Sequence, residues 1–368
     1  MRVVFLTGIW PPDVGGPATH GPDFARFLRD RGHEVRVVTM TDGEPSDRPV
    51  PVTAVSRSRP FVLRYPQVAA AGIRLARHAD VIYATATYAA AAAAAVGARR
   101  PLVAKLVSDP AYERARRYRL FTGTLEEFQS ANDPRVRALK GLRTASLRRA
   151  HTIVVPSTYL ADIARTWSLV TSRIHVLVNP APSPDGVVAE PLPAGTFVFI
   201  GRLTEQKALT VALAALARVP GARLVIIGDG PERVRLERFA QAEGVAGRVE
   251  FLGSLPRDDT LRYAAGARAA LLSSAWENLP HSAVEALAMG TPVVATAVGG
   301  VAEVVHDGEN GLLVPPGDPA ALAGAMERVL EDDRLRDRLA AAARPSIASI
   351  GREAIYGRLE TLLAKAVT

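Results

Sequence analysis

Short runs of β-branched and other apolar residues alternate with longer amphipathic stretches along the whole chain. In the first half these runs predict strands at residues 3–6, 35–39, 81–83, 102–106 and 152–155. In the second half they predict strands at residues 196–200, 224–227, 249–251, 269–272 and 292–295. We expect a helix at about residues 19–31 after a glycine- and proline-rich loop, and its counterpart after the loop at residues 201–206. Strands that alternate with helices favour parallel, doubly wound α/β sheets.

The length and a proline-rich stretch near the middle indicate two domains. A chain of 368 residues is enough for two domains of ordinary size. Residues 179–186 and 191–193 are rich in proline, which is typical of a linker or hinge. We therefore predict an N-terminal domain over residues 1–182, a hinge over 183–195 and a C-terminal domain over 196–350. Residues 351–368 are expected to form a C-terminal helix that could pack back on the first domain.

The apolar stretches are too short or too weak to predict a membrane span. The longest, residues 81–98, is mostly alanine and includes Thr85 and Thr87, whereas a span needs about 20 strongly apolar residues. A buried, alanine-rich helix is expected there. The N-terminal run MRVVFLTGIWPP is too short for a signal peptide core and is interpreted as the first strand. Cysteine is absent, which excludes disulfides and cysteine-ligated metals. We expect a cytoplasmic protein.

Positive charge is concentrated in the first half. Residues 1–190 contain 26 Lys and Arg against 16 Asp and Glu, whereas the remaining residues contain 19 against 21. A basic half suits an anionic partner, such as a phospholipid surface or a phosphorylated or acidic acceptor. The plain alternative is a solvated, arginine-rich surface. Nucleic acid is not favoured, because the arginines at 114–119 lack the repeated aromatic residues that stack on bases.

The segment from Glu277 to Glu285 carries the clearest chemical signal. Pro280 suits the first turn of a helix, and Gly290 with Pro292 ends that helix. Glu277 is therefore predicted in the loop before the helix and Glu285 inside it. A helix N-terminus carries free N–H groups and partial positive charge, which suit a phosphate. Carboxylates on either side can accept hydrogen bonds from sugar hydroxyls.

Several short motifs, in this order, resemble the retaining glycosyltransferases of family 4. They are Gly15-Gly16, Gly32-His33-Glu34-Val35, Gly201-Arg202-Leu203 with Lys207, Gly228-Asp229-Gly230-Pro231, Phe251-Leu252-Gly253, the Glu277 and Glu285 pair, Gly299-Gly300 with Glu303, and Asp307-Gly308 with Gly311. The resemblance implies the GT-B fold, an α/β architecture of two Rossmann-like, doubly wound domains that face each other across a cleft. It also implies transfer of a sugar from a nucleotide-diphosphate sugar to an acceptor hydroxyl, with retention at the anomeric carbon. No metal and no cofactor is implied.

The resemblance assigns roles to the residues that match the family pattern. Arg202 and Lys207 correspond to the basic pair that binds the donor diphosphate. Glu285 corresponds to the carboxylate that holds the nucleotide ribose, and Glu277 to the one near the donor sugar. The remaining donor-binding candidates are Gly15, Gly16, Gly253, Asn278, Leu279, His281 and Ser282. The donor nucleotide is expected to be UDP or GDP.

The N-terminal half departs from the family pattern at one place. Many members carry a histidine near the reacting sugar, after a strand like the one predicted at residues 102–106. This chain instead has Lys105-Leu106-Val107-Ser108-Asp109-Pro110. Asp109 or Lys105 is a candidate for part of that task, and Asp109 is taken as the catalytic candidate. The alternative for Asp109 is a helix cap before Pro110.

The acceptor and two rival functions stay open at this point. The resemblance allows an acceptor glycan, a glycolipid or a small-molecule metabolite. The basic half also allows peripheral contact with the anionic inner face of a membrane. The first rival is a catalytically silent nucleotide-sugar-binding regulatory protein. The second is a phosphorylase or nucleotide-sugar epimerase of the same fold, although the phosphorylases carry a pyridoxal phosphate lysine in a far longer chain.

Overall fold

The computed structural model describes residues 1–13 and 16–368, and these residues form two compact units. The first unit comprises Met1–Asn179 together with Glu353–Thr368, and the second comprises Pro180–Arg352. Each unit is a parallel sheet flanked by helices. Residues 183–195, which the sequence assigned to a hinge, are counted with the second unit.

Among the described residues, the sheet of the first unit contains seven strands, all paired in parallel, in the order β3-β2-β1-β4-β5-β6-β7. We refer to it as the first sheet. Its strands are β1 (Arg2–Thr7), β2 (Glu34–Met40), β3 (Val52–Val55), β4 (Val81–Thr85), β5 (Leu102–Lys105), β6 (Thr152–Val155) and β7 (Ile174–Val176). The order reverses between β1 and β4, as in doubly wound sheets.

Helices connect these strands. They are α1 (Gly16–Asp30), α2 (Phe61–Ala76), α3 (Tyr88–Ala98), α4 (Pro110–Arg117), α5 (Leu125–Ser130), α6 (Pro134–Leu147) and α7 (Thr158–Arg165). The predicted alanine-rich helix is α3, which begins only after β4 has ended. Its alanines are mostly buried, and it packs against α2, α6 and the sheet.

An aromatic cluster packs α1 and the last helix of the chain, α14 (Arg352–Val367), onto one face of the first sheet. The ring of Phe24 lies 5.3 Å from that of Tyr83 on β4 and 5.1 Å from that of Tyr356 on α14, centroid to centroid. Helix α14 is also held by His33, just before β2, whose Nε2 lies 2.7 Å from Oε1 of Glu360. His33 therefore belongs to the packing of the first unit.

The sheet of the second unit contains six parallel strands among the described residues, in the order β10-β9-β8-β11-β12-β13. We refer to it as the second sheet. Its strands are β8 (Thr196–Ile200), β9 (Arg223–Ile227), β10 (Val249–Gly253), β11 (Ala269–Leu272), β12 (Val293–Thr296) and β13 (Gly311–Val314). Its helices are α8 (Leu209–Arg218), α9 (Arg233–Ala242), α10 (Arg257–Gly266), α11 (His281–Ala288), α12 (Pro319–Glu331) and α13 (Asp333–Ser346).

The segment at residues 183–195 packs on α10. The N–H of Glu190 donates to the carbonyl of Arg262 at 2.9 Å, and the two side chains form an ion pair at 2.8 Å. A Cβ on Gly266 would lie 2.1 Å from the carbonyl oxygen of Glu190, so this contact requires glycine. These contacts explain why the segment belongs to the second unit.

The predicted strands all form, and the sequence missed three further strands. These are β3, β7 and β13, which contain only three or four residues each. Proline and glycine at the starts of two of them hide the pattern, since Pro49 and Pro51 precede β3 and Gly311 begins β13. In the part of the chain that the structure describes, no helix combines the length and apolar character that a membrane crossing requires.

Candidate active site

The site lies at the carboxyl ends of the strands of the second sheet, where three tight loops meet. The N–H of Gly228 donates to the carbonyl of Gly253 at 2.8 Å, which joins the ends of β9 and β10. Gly228 has φ +133°, and a Cβ there would lie only 2.0 Å from the carbonyl oxygen of Gly201 after β8. Glycine is therefore required at position 228 for both conformation and space. Ligands of doubly wound sheets bind at this edge.

The two basic candidates lie in the loop that follows β8. Arg202 is exposed, and its side chain makes no hydrogen bond or ion pair with any described residue. Lys207 ends a single 3₁₀ turn at Glu205–Lys207, just before α8. Both cations are thus placed at the carboxyl edge, one reaching into solvent and one held by the protein.

Lys207 and Glu277 form an ion pair, although they are 70 residues apart in the chain. Only 16% of the Lys207 side chain and 7% of the Glu277 side chain is exposed. The hydroxyl of Ser274 also donates to Glu277, at 2.8 Å. Both donors reach Oε1, so among the described residues Oε2 of Glu277 accepts no hydrogen bond. An ionised carboxylate with one oxygen left over can accept from a ligand hydroxyl.

Hydrogen bonds to backbone carbonyls hold the loop after β8 against the loop after β11. The side-chain amide of Gln206 donates to the carbonyl of Trp276 at 2.9 Å, and the backbone N–H of Ala275 donates to the carbonyl of Gln206 at 2.8 Å. The hydroxyl of Ser273 donates to the carbonyl of Lys207 at 2.9 Å. The position of the ion pair is therefore fixed by its surroundings on both sides.

Helix α11 begins directly after Glu277 and its neighbours. Pro280 takes the N-cap position, one residue before the helical turn in which the sequence placed it. No side chain caps this N-terminus, and no acidic residue lies in the first turn. Gly290, with φ +82°, follows the helix as predicted. The N-terminus of α11 thus offers backbone N–H groups and a partial positive charge at the same edge as Lys207.

Glu285 lies inside α11 and is mostly buried, with 18% of its side chain exposed. Burial raises the pKa of this carboxyl, and the nearby Arg257 guanidinium opposes that rise. Nη2 of Arg257 lies 3.7 Å from Oε1 of Glu285. The distance is long for a hydrogen bond, so the pair leaves Glu285 able to accept from another donor.

The loop at Gly253 forms one side of the same edge. Gly253 ends β10 with φ +73°, beside Arg233 at the start of α9. The Arg233 guanidinium lies 5.8 Å from the centroid of the Phe251 ring. Of the other donor-binding candidates, Asn278 and Leu279 lie in the loop before α11, and His281 and Ser282 lie in its first turn.

The first unit contains the remaining candidate site residues, Gly15, Gly16 and Asp109. Gly15 lies outside the described residues, and Gly16 is the first residue of α1. Asp109 caps α4, accepting from the N–H groups of Ala111 at 2.8 Å and Tyr112 at 3.3 Å. Its other oxygen accepts from Nη1 of Arg143 at 2.6 Å and from Gln129 at 3.2 Å.

Asp109 therefore forms the helix cap that was its alternative assignment, and its catalytic role stays a prediction. The Asp109 side chain is fully buried, and that of Arg143 is 5% exposed. Both carboxylate oxygens are occupied by donors of the protein. The Arg143 guanidinium also stacks over Trp167, 3.9 Å from the ring centroid. The residues around Asp109 form a structural core of the first unit.

Sequence reasoning missed three groups that support the site. Ser274 binds Glu277, Arg257 faces Glu285, and the N–H of Gly300 donates to the carbonyl of Glu277 at 3.3 Å. Only Gly300 belonged to a motif that the sequence singled out, the pair Gly299-Gly300.

Within the described part of the chain, no three His, Asp or Glu side chains come together as metal ligands.

Comparison with known proteins identifies the family. A model described as Glycosyltransferase Family 4 matches residues 14–182, and one described as Glycosyl transferases group 1 matches residues 187–345. The 2-deoxystreptamine N-acetyl-D-glucosaminyltransferase of Streptomyces fradiae is 30% identical over 406 aligned residues, which span 98% of this chain and 96% of that protein. The chain belongs to glycosyltransferase family 4.

Another relative of this family 4 chain matches a shorter segment. The lipopolysaccharide core biosynthesis glycosyltransferase LpsE of Rhizobium meliloti is 39% identical over 175 residues. The match spans 47% of this chain and 51% of LpsE, so the chain spans about half the length of that relative.

The fold is also that of a solved member of the GT-B class. The crystal structure of HepE from Anabaena, in complex with UDP and glucose, superposes on this family 4 chain with a TM-score of 0.82. The identity is 23%, and the match covers 99% of this chain and 100% of HepE. The two Rossmann-like parallel sheets are thus those of a GT-B protein.

We predict that Lys207 and Glu277 are strongly coupled in stability. Glu277→Ala should lower the free energy of unfolding by about 3–5 kcal/mol, because it leaves the Lys207 ammonium poorly hydrated and unpaired. Lys207→Met combined with Glu277→Leu should lose much less than the sum of the single changes. Urea denaturation of the single and double variants measures the coupling. The exposed pair Arg165–Asp162 on α7 is the control, and its disruption should cost less than about 1 kcal/mol.

We predict that Glu285→Gln stabilises the fold at neutral pH. The raised pKa of Glu285 means that its ionised form is disfavoured in the folded state, so the wild type loses stability as pH rises above the unfolded value near 4.5. The difference in Tm between the variant and the wild type should therefore grow from pH 4 to pH 7. A difference that does not change with pH would show that the carboxyl is not strained by burial.

We predict a structural phenotype for Asp109. Asp109→Ala should lower the free energy of unfolding by about 3–5 kcal/mol, since it leaves the buried Arg143 guanidinium without a counter-ion. Adding Arg143→Met should restore part of the loss. Asp133→Ala is the matched control, because Asp133 caps α6 at an exposed position and should cost only about 1 kcal/mol. Equal losses at Asp109 and Asp133 would contradict the importance of the buried pair.

Proposed function

We propose that this chain is a retaining glycosyltransferase that moves a sugar from a nucleotide-diphosphate sugar to an acceptor hydroxyl without a metal ion. The observation that supports this best is the paired Lys207 and Glu277 beside the uncapped N-terminus of α11. A fixed cation, a fixed carboxylate and the backbone N–H groups of a helix N-terminus at one sheet edge match the needs of a sugar diphosphate.

The diphosphate is bound by positive charge from three sources. Arg202 and Lys207 supply two cations, and the α11 N-terminus supplies partial positive charge and backbone donors. Charge builds up on the diphosphate as the bond to the sugar breaks. Preorganised donors stabilise that charge more in the transition state than in the ground state. This is the task that a metal ion performs in other transferases.

Glu277 binds the donor sugar. Its Oε1 is held by Lys207 and Ser274, and Oε2 accepts from sugar hydroxyls. The Lys207–Glu277 pair thus joins diphosphate binding to sugar orientation, because the same contact positions both side chains. A shift of either side chain would misplace the anomeric carbon relative to the acceptor.

Glu285 holds the ribose of the nucleotide by accepting from its hydroxyls, and the loop at Gly253 with Arg233 borders the base. We propose UDP as the nucleotide, with GDP as the alternative to be tested. The support is that HepE, which has the same fold, was solved with UDP and glucose bound.

The transfer occurs on one face of the sugar. The bond between the anomeric carbon and the diphosphate oxygen breaks, and a bond from the acceptor oxygen forms on that same face. The acceptor proton passes to an oxygen of the leaving diphosphate. This scheme needs no protein base, in keeping with the occupied carboxylate of Asp109.

The experiment measures nucleoside diphosphate release from UDP- and GDP-sugars in excess chelator. The acceptors are simple saccharides and cyclitols, each tested in a neutral and in a phosphorylated or acidic form. Arg202→Ala and Glu277→Ala should each reduce kcat/KM by at least about 100-fold, or ~3 kcal/mol. The control is Arg235→Ala, which should keep full activity, because Arg235 is exposed on α9 and, among the described residues, pairs only with Glu232 at the N-cap of that helix.

Three results would count against the proposal. Full activity in Arg202→Ala or Glu277→Ala would remove the site assignment. Activity lost in chelator and restored by Mg²⁺ would remove metal independence. Binding of UDP without release from any donor and acceptor would favour a silent nucleotide-sugar-binding protein.

Nucleotide binding by itself gives a further check. UDP should raise the Tm of the wild type, because a ligand that binds only the folded state stabilises it. Glu285→Gln should weaken UDP binding by about tenfold or more, even though it stabilises the free protein. A variant that is both more stable and equally able to bind UDP would show that Glu285 does not hold the ribose.

A further inference from the structure

Lys105 is a buried cation that the proposed donor site does not use. It is the last residue of β5, and only 3% of it is exposed. Its carbonyl accepts from the hydroxyl of Tyr88 at 2.8 Å, but Nζ makes no hydrogen bond or ion pair with any described residue. A buried ammonium without a counter-ion is unfavourable, and such groups mark functional sites more often than chance.

Among the residues that the structure describes, no charged neighbour compensates Lys105. Burial alone lowers the pKa of its ammonium, to about 8, with no contribution from a carboxylate. On the neighbouring strands the paired positions are Thr85 and Val154, both uncharged. At neutral pH the group therefore still carries most of its positive charge, and that charge is unbalanced within the described protein.

The position of Lys105 is that of a ligand-binding group. Thr7, Thr85 and Lys105 occupy paired positions on three adjacent strands, so their side chains project from the same face at the carboxyl edge. The hydroxyl of Thr85 donates to that of Thr7 at 2.9 Å, and Thr7 donates to the carbonyl of Ile9 at 3.0 Å. This edge is where doubly wound sheets bind ligands.

The elements that cover this face do not neutralise the lysine. Helix α1 lies over it through Phe24 and carries the titratable groups His20 and Asp23. Helix α14 contributes Tyr356, whose hydroxyl donates to Asp23 at 3.1 Å. None of these groups contributes to the shift at Lys105.

The choice of lysine is itself unusual in this chain. Of its 45 basic residues only four are lysine, at positions 105, 140, 207 and 365. Arginine, used everywhere else, has a broad planar fork, whereas lysine presents a compact point charge. A narrow, buried position that must present one cationic group to an anion suits lysine. Lys207, the other lysine at a carboxyl edge, is assigned to such a task in the donor site.

We propose that Lys105, at the carboxyl edge of the first sheet, binds an anionic oxygen group, a phosphate or carboxylate, of a substrate. The assignment to a substrate rests on the proposed function. Because the donor diphosphate already has Arg202, Lys207 and the α11 N-terminus, the group at Lys105 belongs to the acceptor. The acceptor is then an anionic molecule. The name of the Streptomyces fradiae relative contains 2-deoxystreptamine, which is a diamine. Such an acceptor would place positive charge beside the positive charge of Lys105, so it does not suit this position.

The small number of lysines allows a direct test. Protein made with side-chain-labelled lysine should show four ε-methylene NMR signals, and Lys105→Met assigns one of them. The pH titration of that signal is followed alone, with inorganic phosphate and with UDP. Phosphate should raise the pKa of Lys105 by about one unit or more, which corresponds to tenfold tighter binding of the anion to the charged form.

The arms of the titration separate the sources of the anion. A response to phosphate but not to UDP assigns the position to the acceptor, and a response to UDP alone assigns it to the donor diphosphate and overturns the acceptor assignment. No response to either anion overturns the site. The Lys365 signal is the internal control and should not respond. If Lys207 fails to respond to UDP, the donor site is wrong, and that result is read independently of Lys105.

Variants give a second readout that does not depend on NMR. Phosphate should raise the Tm of the wild type, and the same rise in Lys105→Met should need at least a tenfold higher phosphate concentration. Lys365→Met is the matched surface control and should behave as the wild type. An unchanged response of Lys105→Met to phosphate would overturn the proposal.

Discussion

The ion pair between Lys207 and Glu277 is the interaction around which the candidate site is organised. It joins the loop after β8 to the loop after β11, and Gln206, Ser273 and Ser274 hold both loops in place. A pair with so little exposure is stable only when its geometry is good, because each ion has given up most of its water. The loops cannot move separately without exposing an unpaired charge. That constraint fixes the start of α11 relative to the end of β8.

The buried charged side chains of this protein differ in how completely other residues pair with them. Asp109 is satisfied by Arg143, by Gln129 and by the start of α4, so it contributes structure and has little capacity left for a ligand. Lys207 and Glu277 satisfy each other only in part, since one carboxylate oxygen stays available. Lys105 has no partner among the described residues. The less a charge is satisfied by the protein, the more of its interaction energy remains for a substrate.

Local signals predicted the positions of the site residues, but not their partners. Pro280 and Gly290 bracket α11 in the sequence, and the strand pattern placed Arg202 and Lys207 after β8. The pairing of Lys207 with Glu277 depends on two loops that follow the neighbouring strands β8 and β11, and the periodicity of the sequence does not encode which strands are neighbours. Asp109 was ambiguous for a related reason: an aspartate before a proline fits both a cap and a catalyst, and the buried Arg143 that pairs with it lies 34 residues later.

The contribution of α14 to the first unit has a consequence for the order of synthesis. The first 179 residues leave the ribosome well before the helix that completes their core, because the whole second unit is made in between. Until Tyr356 and Glu360 are made, the rings of Phe24 and Phe27 lack their partner and His33 lacks its carboxylate. The nascent first unit therefore waits with an apolar surface open, whereas the second unit can complete its own core as soon as residue 352 is available. The part of the chain that is made first is thus the part whose core receives its last residues.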